Sequence, residues 1–262
     1  MKIILSADDF GYSDHTVDRT IACFEAGALT SASIMANMPA TERAIRWAKL
    51  HPEFSFGIHL CYCTDELERP ILPPELIPDL VDEKGRFLES NAMRRHGMLN
   101  CLAVEQIVSE TEAQIAFLSD LGVPLSYVDS HGHLHKFTPF RRALEQVLPR
   151  FGISRVRRVQ NVYLKRPLRS PTYWLGGRWG LAIARQFITT DTFYMPASAG
   201  DVEWAVPLLK RLAGTGGSLE IGVHPGLDEE WRGYDDCGVR QFAAAVRHTN
   251  HQLIGWRTLS AV

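Results

Sequence analysis

Residues 1–13 read MKIILSADDFGYS. A short apolar run, Ile3 to Leu5, leads to two adjacent carboxylates, Asp8 and Asp9, and then to Phe10 and Gly11. The run reads as a strand over residues 2–7, and its end is unusual. Two like charges side by side are costly in a tight site unless a cation lies close by. The reading of the whole chain turns on whether that pair is an ordinary solvated turn or one corner of a site assembled from several strand ends.

Working outward, apolar strand-like runs alternate with amphipathic helix-like runs, the pattern of a mainly parallel α/β architecture. Residues 14–27 predict a helix with Ser13 or Asp14 as N-cap and Gly27 as its stop. Thr30–Met38 predicts a strand, Ala40–Leu50 a helix and Ser55–Cys61 a strand. Residues 64–103, rich in Pro and charge, predict a long insertion or lid rather than a linker. Helix 104–121, strand 125–130, helix 139–151 and a strand-like run 156–160 follow. The stretch 164–190 is basic and aromatic and in part helical. A short strand 193–195, a helix 201–213 capped by Asp201, a strand 218–223, a helix 239–249 and a strand 253–256 complete the chain. Seven to eight units of this kind predict a deformed (β/α) barrel, with a doubly wound open sheet as the alternative. No G-x-G-x-x-G follows the first strand, which argues against a dinucleotide site.

Composition narrows the function classes. Of 262 residues, 45% are hydrophobic, enough for a substantial core, and the formal net charge is −2, which does not suit a nucleic-acid binder. No apolar stretch is long enough to span a bilayer. Only Lys2 precedes the first apolar run, and acids follow at once, so no secretory leader is expected. The five cysteines are scattered, and Cys61 and Cys63 form C-x-C rather than the C-x-x-C of a zinc ribbon or redox motif. Reduced thiols in a cytoplasmic protein are expected.

The chemistry sits at strand ends: Asp8-Asp9 after the first, GIHL (57–60) in the third, DSHGHLH (129–135) in the fourth and VHPG (223–226) after a late one. Singly, each has an ordinary reading as a turn, a core histidine or a polar loop. The i to i+4 spacing of His131 and His135 can share a helix face. Together they differ, because strand ends of a barrel converge on one face, and Asp with His from separate strands makes a divalent-metal site.

ADDFG, GIHL, DSHGHLH and VHPG, in that order, and the segment LPPELIPDLVDEKGRF resemble the YdjC-like carbohydrate deacetylases, also called the ChbG/HpnK family. The resemblance runs over about residues 2–260 and is weakest over 160–200. It implies one domain over residues 1–262 with a barrel related to the NodB-type polysaccharide deacetylases. It also implies hydrolysis of the N-acetyl group of an amino sugar, soluble or lipid-linked, with release of acetate. One divalent ion (Mg²⁺, Zn²⁺ or Co²⁺) would be held by Asp9, His59 and His131. Asp8 would act as general base and His224 as general acid, with Arg157 orienting the base, although Arg155 and Arg158 compete for that place. His133, His135 and Trp174 would belong to the substrate wall, and segments 64–103 and 160–200 would select the substrate. Trp174, Trp179 and the neighbouring arginines also suit a membrane-proximal sugar, and a homodimer is compatible with the sequence. The rivals are a hydrolase of another amide or a formyl group on the same scaffold, a catalytically inert sugar- or metal-binding module, and a two-metal phosphoesterase.

Overall fold

The computed structural model describes residues 1–196 and 203–260. Its strands and helices run β1 (Lys2–Phe10), α1 (Asp14–Glu25), β2 (Ser31–Ile34), α2 (Thr41–Leu50), β3 (Ser55–Leu60), α3 (Ser90–Leu99), α4 (Val104–Asp120), β4 (Leu125–Ser130), α5 (Thr138–Val147), α6 (Pro171–Ala184), β5 (Thr192–Tyr194), α7 (Ala205–Leu212), β6 (Ser218–Val223), α8 (Glu230–Val246) and β7 (Gln252–Leu253). The strands form one parallel sheet in the order β4-β3-β2-β1-β6-β5, with β7 also paired to β1. The sheet curls into a deformed (β/α) barrel. An irregular segment narrows the remaining gap: Arg157 N–H donates to Val128 O of β4 (2.9 Å), and Val156 N–H donates to Ile188 O (3.0 Å), just ahead of β5.

Alternation along the strands sorts the residues. In β1, Ile3, Leu5 and Ala7 pack into the main core under the helices. Ile4 faces the other way, into the barrel, where it meets Tyr127, Trp256 and Leu259. Ser6 follows on the same side and bonds the Tyr127 hydroxyl at 2.7 Å. The Trp256 indole N–H donates to Glu220 Oε1 (3.2 Å), so the apolar floor of the barrel passes directly into a polar interior.

Helix α1 begins as the sequence predicts. Thr16 N–H donates to Ser13 Oγ (3.2 Å), and Ser13 N–H donates to Thr16 Oγ1 (3.0 Å), a reciprocal capping box. Other boundaries differ. The second strand ends at Ile34 rather than Met38, because the chain turns through Asn37 at φ 59°. Within residues 156–160 Val156 makes one isolated bridge, to Val128, and no strand forms, and the predicted strand 253–256 stops at Leu253, with Trp256 opening a 3-10 turn. The predicted helix 139–151 is α5 followed by a 3-10 turn, Leu148–Phe151. Helix α7 starts at Ala205, and the predicted cap Asp201 lies outside the described residues. The last helix begins at Glu230 rather than at residue 239. Segment 64–103 carries α3 and a short turn, Pro74–Leu76. Among the described residues no helix is long and apolar enough to cross a membrane, and all five cysteines are free.

Candidate metal centre and cleft

The two acids that end β1 escape strand alternation through a backbone break. The register of β1 against β2 shifts between Ala7 and Phe10, and Asp9 takes a left-handed conformation, φ 57°. Such a bulge re-aims the side chains on either side of it. Asp8 stays on the inward face with Ser6, and Asp9 turns to the same cleft instead of to the helix side. Gly11, at φ 105°, completes the turn where a Cβ would press on the Thr41 backbone at 3.1 Å.

The cleft has a volume of about 1080 Å³, and Asp8, Asp9, His59, His131 and His224 all line it. Three ligand atoms converge within 4.8 Å of one another, one each from Asp9, His59 and His131. Asp9 Oδ1 lies 3.4 Å from His59 Nε2 and 3.3 Å from His131 Nδ1. Each imidazole has a carboxylate at its other nitrogen. His59 Nδ1–H donates to Asp129 Oδ1 at 2.8 Å, a bond set by the register that places His59 opposite Asp129. His131 Nε2–H donates to Asp65 Oδ2 at 3.0 Å, and Glu68 lies 3.7 Å away. Metal-binding histidines are fixed in this way, with the far nitrogen held by a carboxylate.

Burial opposes charge on these groups, and their partners overcome it. Hydrogen bonds from His131 and His59 hold the buried Asp9 carboxyl well below the usual carboxylate range. Burial lowers the affinity of His59 for a proton, but Asp129 and Asp9 push it up to about 9, and His131 is likewise raised by Asp65 and Asp9. Two imidazolium groups thus balance Asp9 where a divalent cation could take their place with release of protons. One carboxylate oxygen and two imidazole nitrogens from three separate segments, each backed by an acid, fit such an ion. Asp8, His59 and Asp129 also lie close together, but the Arg157 guanidinium occupies that second cluster and repels a cation.

Arg157 is wholly buried and ties the polar interior together. It donates to both oxygens of Asp8 (2.6 and 2.7 Å) and to Glu220 Oε1 (2.8 and 2.9 Å), and it lies 2.6 Å from Asp129 Oδ2. Burial works against the Asp8 charge, yet Arg157, followed by His59, holds its carboxyl below the usual value. Glu220 goes the other way: burial, with Asp129 and Asp8 nearby, pushes it up to about 7 despite Arg157. Its Oε2 has no hydrogen-bond partner, which suits the member of the cluster that keeps a proton. The two rival arginines are employed elsewhere. Arg155 donates to the carbonyls of Leu259 and Arg257, and Arg158 lines a separate small cavity.

His224, at the end of β6, is held by Asp235 of α8. Asp235 Oδ2 accepts from the His224 backbone N–H at 2.9 Å and lies 3.2 Å from Nδ1. The other nitrogen, Nε2, sits 3.9 Å from Asp8 Oδ2. Arg232, also on α8, donates to Asp9 Oδ2 at 3.0 Å. Sequence reasoning missed Arg232 and Asp235 because it began this helix too late. It missed Glu220 because the acid lies mid-strand, and it quoted Asp129 within DSHGHLH without giving it a task.

The three histidines of HGHLH do not share a helix face. Gly132 (φ 62°) and His133 (φ 54°) break the turn. His131 meets Asp9, His133 Nε2 lies 3.2 Å from Met195 Sδ, and His135 Nδ1 lies 2.7 Å from Ser130 Oγ. His133 lines the main cleft, while His135 lines only the small cavity. Trp174 stands apart: it is 65% exposed, its indole N–H caps Leu168 O (2.9 Å), and it does not line the cleft. Trp174→Ala is therefore expected to leave turnover essentially unchanged, because the side chain is exposed and does not line the cleft. A tenfold loss would return Trp174 to the substrate wall.

The fold and the cluster together describe a parallel (β/α) barrel with a candidate metal centre at its strand ends. The chain matches the YdjC-like protein family over residues 2–255 and belongs to it. A carbohydrate deacetylase of Geobacillus stearothermophilus is 36% identical over 225 residues, 85% of this chain and 78% of that protein. One from Listeria monocytogenes is 27% identical over 231 residues, 88% of this chain and 83% of that one. A candidate cellobiose-phosphate cleavage protein from Enterococcus faecalis superposes with a TM-score of 0.79 at 22% identity, over 99% of both chains. The catalytic domain of a peptidoglycan N-acetylglucosamine deacetylase from Eubacterium rectale gives a TM-score of 0.52 at 10% identity, covering 100% of this chain and 90% of that one. At these identities the two solved structures bear on the fold alone.

Proposed function

We propose that this protein is a metal-dependent hydrolase that removes the N-acetyl group from an amino sugar and releases acetate. The observation that carries the reading is the division of partners between the acids at the end of β1: Asp9 Oδ1 faces both His59 and His131, and both oxygens of Asp8 accept from Arg157. A binding module needs only the first arrangement. The sequence relatives named for carbohydrate deacetylation support the substrate class.

Asp9, His59 and His131 would hold the ion, which when bound polarises a carbonyl and acidifies a water. Asp8, fixed by two hydrogen bonds and kept ionised, accepts the proton of the attacking water. Arg157 sets its direction and prevents the carboxylate from turning to the ligands. His224, with Asp235 behind Nδ1, presents Nε2 on the Asp8 side of the cleft and delivers a proton to the departing amine, a poor leaving group until protonated. Trp231, with its ring centre 5.2 Å from that of His224, walls this side.

The test is acetate release from N-acetylglucosamine, diacetylchitobiose and triacetylchitotriose, with a free amine counted for each acetate. Activity is expected to vanish after exhaustive EDTA treatment and to return with Zn²⁺, Co²⁺ or Mg²⁺. Full activity after chelation would remove the mechanism. Formate release from N-formyl analogues, with no acetate from the acetylated sugars, would select the formyl alternative.

A further inference from the structure

Helix α6 has two unlike faces. Gly176, Gly180 and Ile183 are buried against the barrel, and a Cβ at either glycine would meet Val159, at 3.5 and 3.8 Å. Trp179 packs edge-on against Phe137 with ring centres 5.1 Å apart, so it belongs to this inner side. Trp174, Arg178, Leu181 and Arg185 follow one another at spacings of four, three and four, a single stripe of a helix. All four are exposed, Trp174 by 65% and Leu181 by 56%.

The loop before the helix extends the stripe. The Trp174 indole N–H donates to Leu168 O (2.9 Å), which sets Leu168, 58% exposed, beside the ring. With its N–H satisfied inside the chain, the indole presents an apolar ring outward. Arg166 and Arg169 flank Leu168 and are exposed too. The side chains of Arg166, Arg169, Arg178 and Arg185 make no ion pair or hydrogen bond among the described residues. No Asp or Glu occurs between Glu145 and Asp191, whereas the whole chain carries a net charge of −2, so the rest of the molecule is net acidic. An anionic plane therefore attracts this face and repels the others.

Arginines interleaved with Trp and Leu on one outward stripe match the needs of a membrane interface. The apolar side chains enter the headgroup boundary and the guanidinium groups meet lipid phosphates. A nucleic-acid backbone would use the arginines but not Leu168, Trp174 and Leu181. We infer that the outer face of α6, with the loop before it, is a docking surface for an anionic lipid bilayer. The same loop reaches the main cleft, which Tyr163, Leu164, Lys165 and Pro167 line, so docking brings the cleft mouth beside the headgroups. The inference concerns where the protein sits, and it stands apart from the deacetylase reading.

The test is co-sedimentation of the full chain with vesicles of phosphatidylcholine alone and of phosphatidylcholine mixed with phosphatidylglycerol. Wild type is expected to partition onto the mixed vesicles about tenfold better than onto the neutral ones, and to lose that preference as salt rises. Arg178→Gln combined with Arg185→Gln should weaken partitioning about 20-fold, at about 1 kcal/mol for each charge. The corresponding Lys pair, which keeps both charges, should retain most of it. Trp174→Ala should cost about tenfold through lost apolar contact. All these side chains are exposed, so each variant is expected to keep the wild-type circular dichroism spectrum. No binding to either vesicle, equal binding to both, or undiminished binding in the Gln pair would overturn the inference. Self-association that Trp174→Ala abolishes, without vesicle binding, would overturn it by giving the face to a second copy of the chain.

Discussion

Asp9→Asn is expected to lose its bound metal, whereas Asp8→Asn is expected to keep it and still lose about 10²- to 10⁴-fold in turnover, the range for removing a general base. Asn is the right probe at position 9 because it tolerates left-handed backbone, which Ala does not. The contrast follows from the partners. Both imidazoles point a nitrogen at Asp9 Oδ1. Both Asp8 oxygens instead accept from Arg157, which leaves that carboxylate as the weaker candidate for a ligand. Plasma mass spectrometry of the two purified variants, with acetate release measured in parallel, decides the matter. Equal loss of metal in both would show that the two acids share one task.

The second large effect is on stability. Arg157→Leu is expected to destabilise the protein by about 3–5 kcal/mol, the usual consequence of removing one partner from a buried ion pair. Leucine leaves Asp8, Asp129 and Glu220 facing one another in the barrel interior with no cation between them. Asp8 would then lose the charge that outweighs its burial, and Glu220 would rise further from a value already near 7. Arg157→Lys restores a cation without the fork that reaches three acids, so an intermediate loss is expected. Urea unfolding followed by circular dichroism measures both. A Leu variant within about 1 kcal/mol of wild type, the range of ordinary substitutions, would mean that the cluster relaxes by taking up protons at little cost.

Much of the site was legible because barrel strands deliver their C-terminal residues to one face. Asp8, Asp9, His59, His131 and His224 lie far apart in sequence and line one cleft. What escaped reading has local causes. Residues 230–238, EWRGYDDCG, contain two glycines and three acids, which weakens any helix signal. They nevertheless form the first half of α8, with Arg232, Asp235 and Asp236 buried. The choice among three arginines needed depth as well as alternation. Arg155 and Arg157 both turn inward, but Arg155 bonds the carbonyls of Arg257 and Leu259 near the barrel floor, and Arg157 the acids above it. HGHLH suggested a common helix face because its spacing fits one, and the left-handed turn at Gly132 and His133 scatters the three rings instead.

The left-handed backbone at Asp9 has a consequence for how this protein can evolve. A residue with a Cβ at φ 57° is held there against its own preference. Glycine would sit at that position without backbone strain, but it would leave His59, His131 and Arg232 without the buried carboxylate they share, so the aspartate is held in its strained conformation by its charge partners. The backbone cost at this residue is therefore offset by the electrostatics of the cleft, and durability and the metal centre draw on the same acid. Lineages that abandon the reaction should keep an acid at this position for as long as His59, His131 and Arg232 persist, and a thermostability screen run without a functional readout should not recover Asp9→Gly.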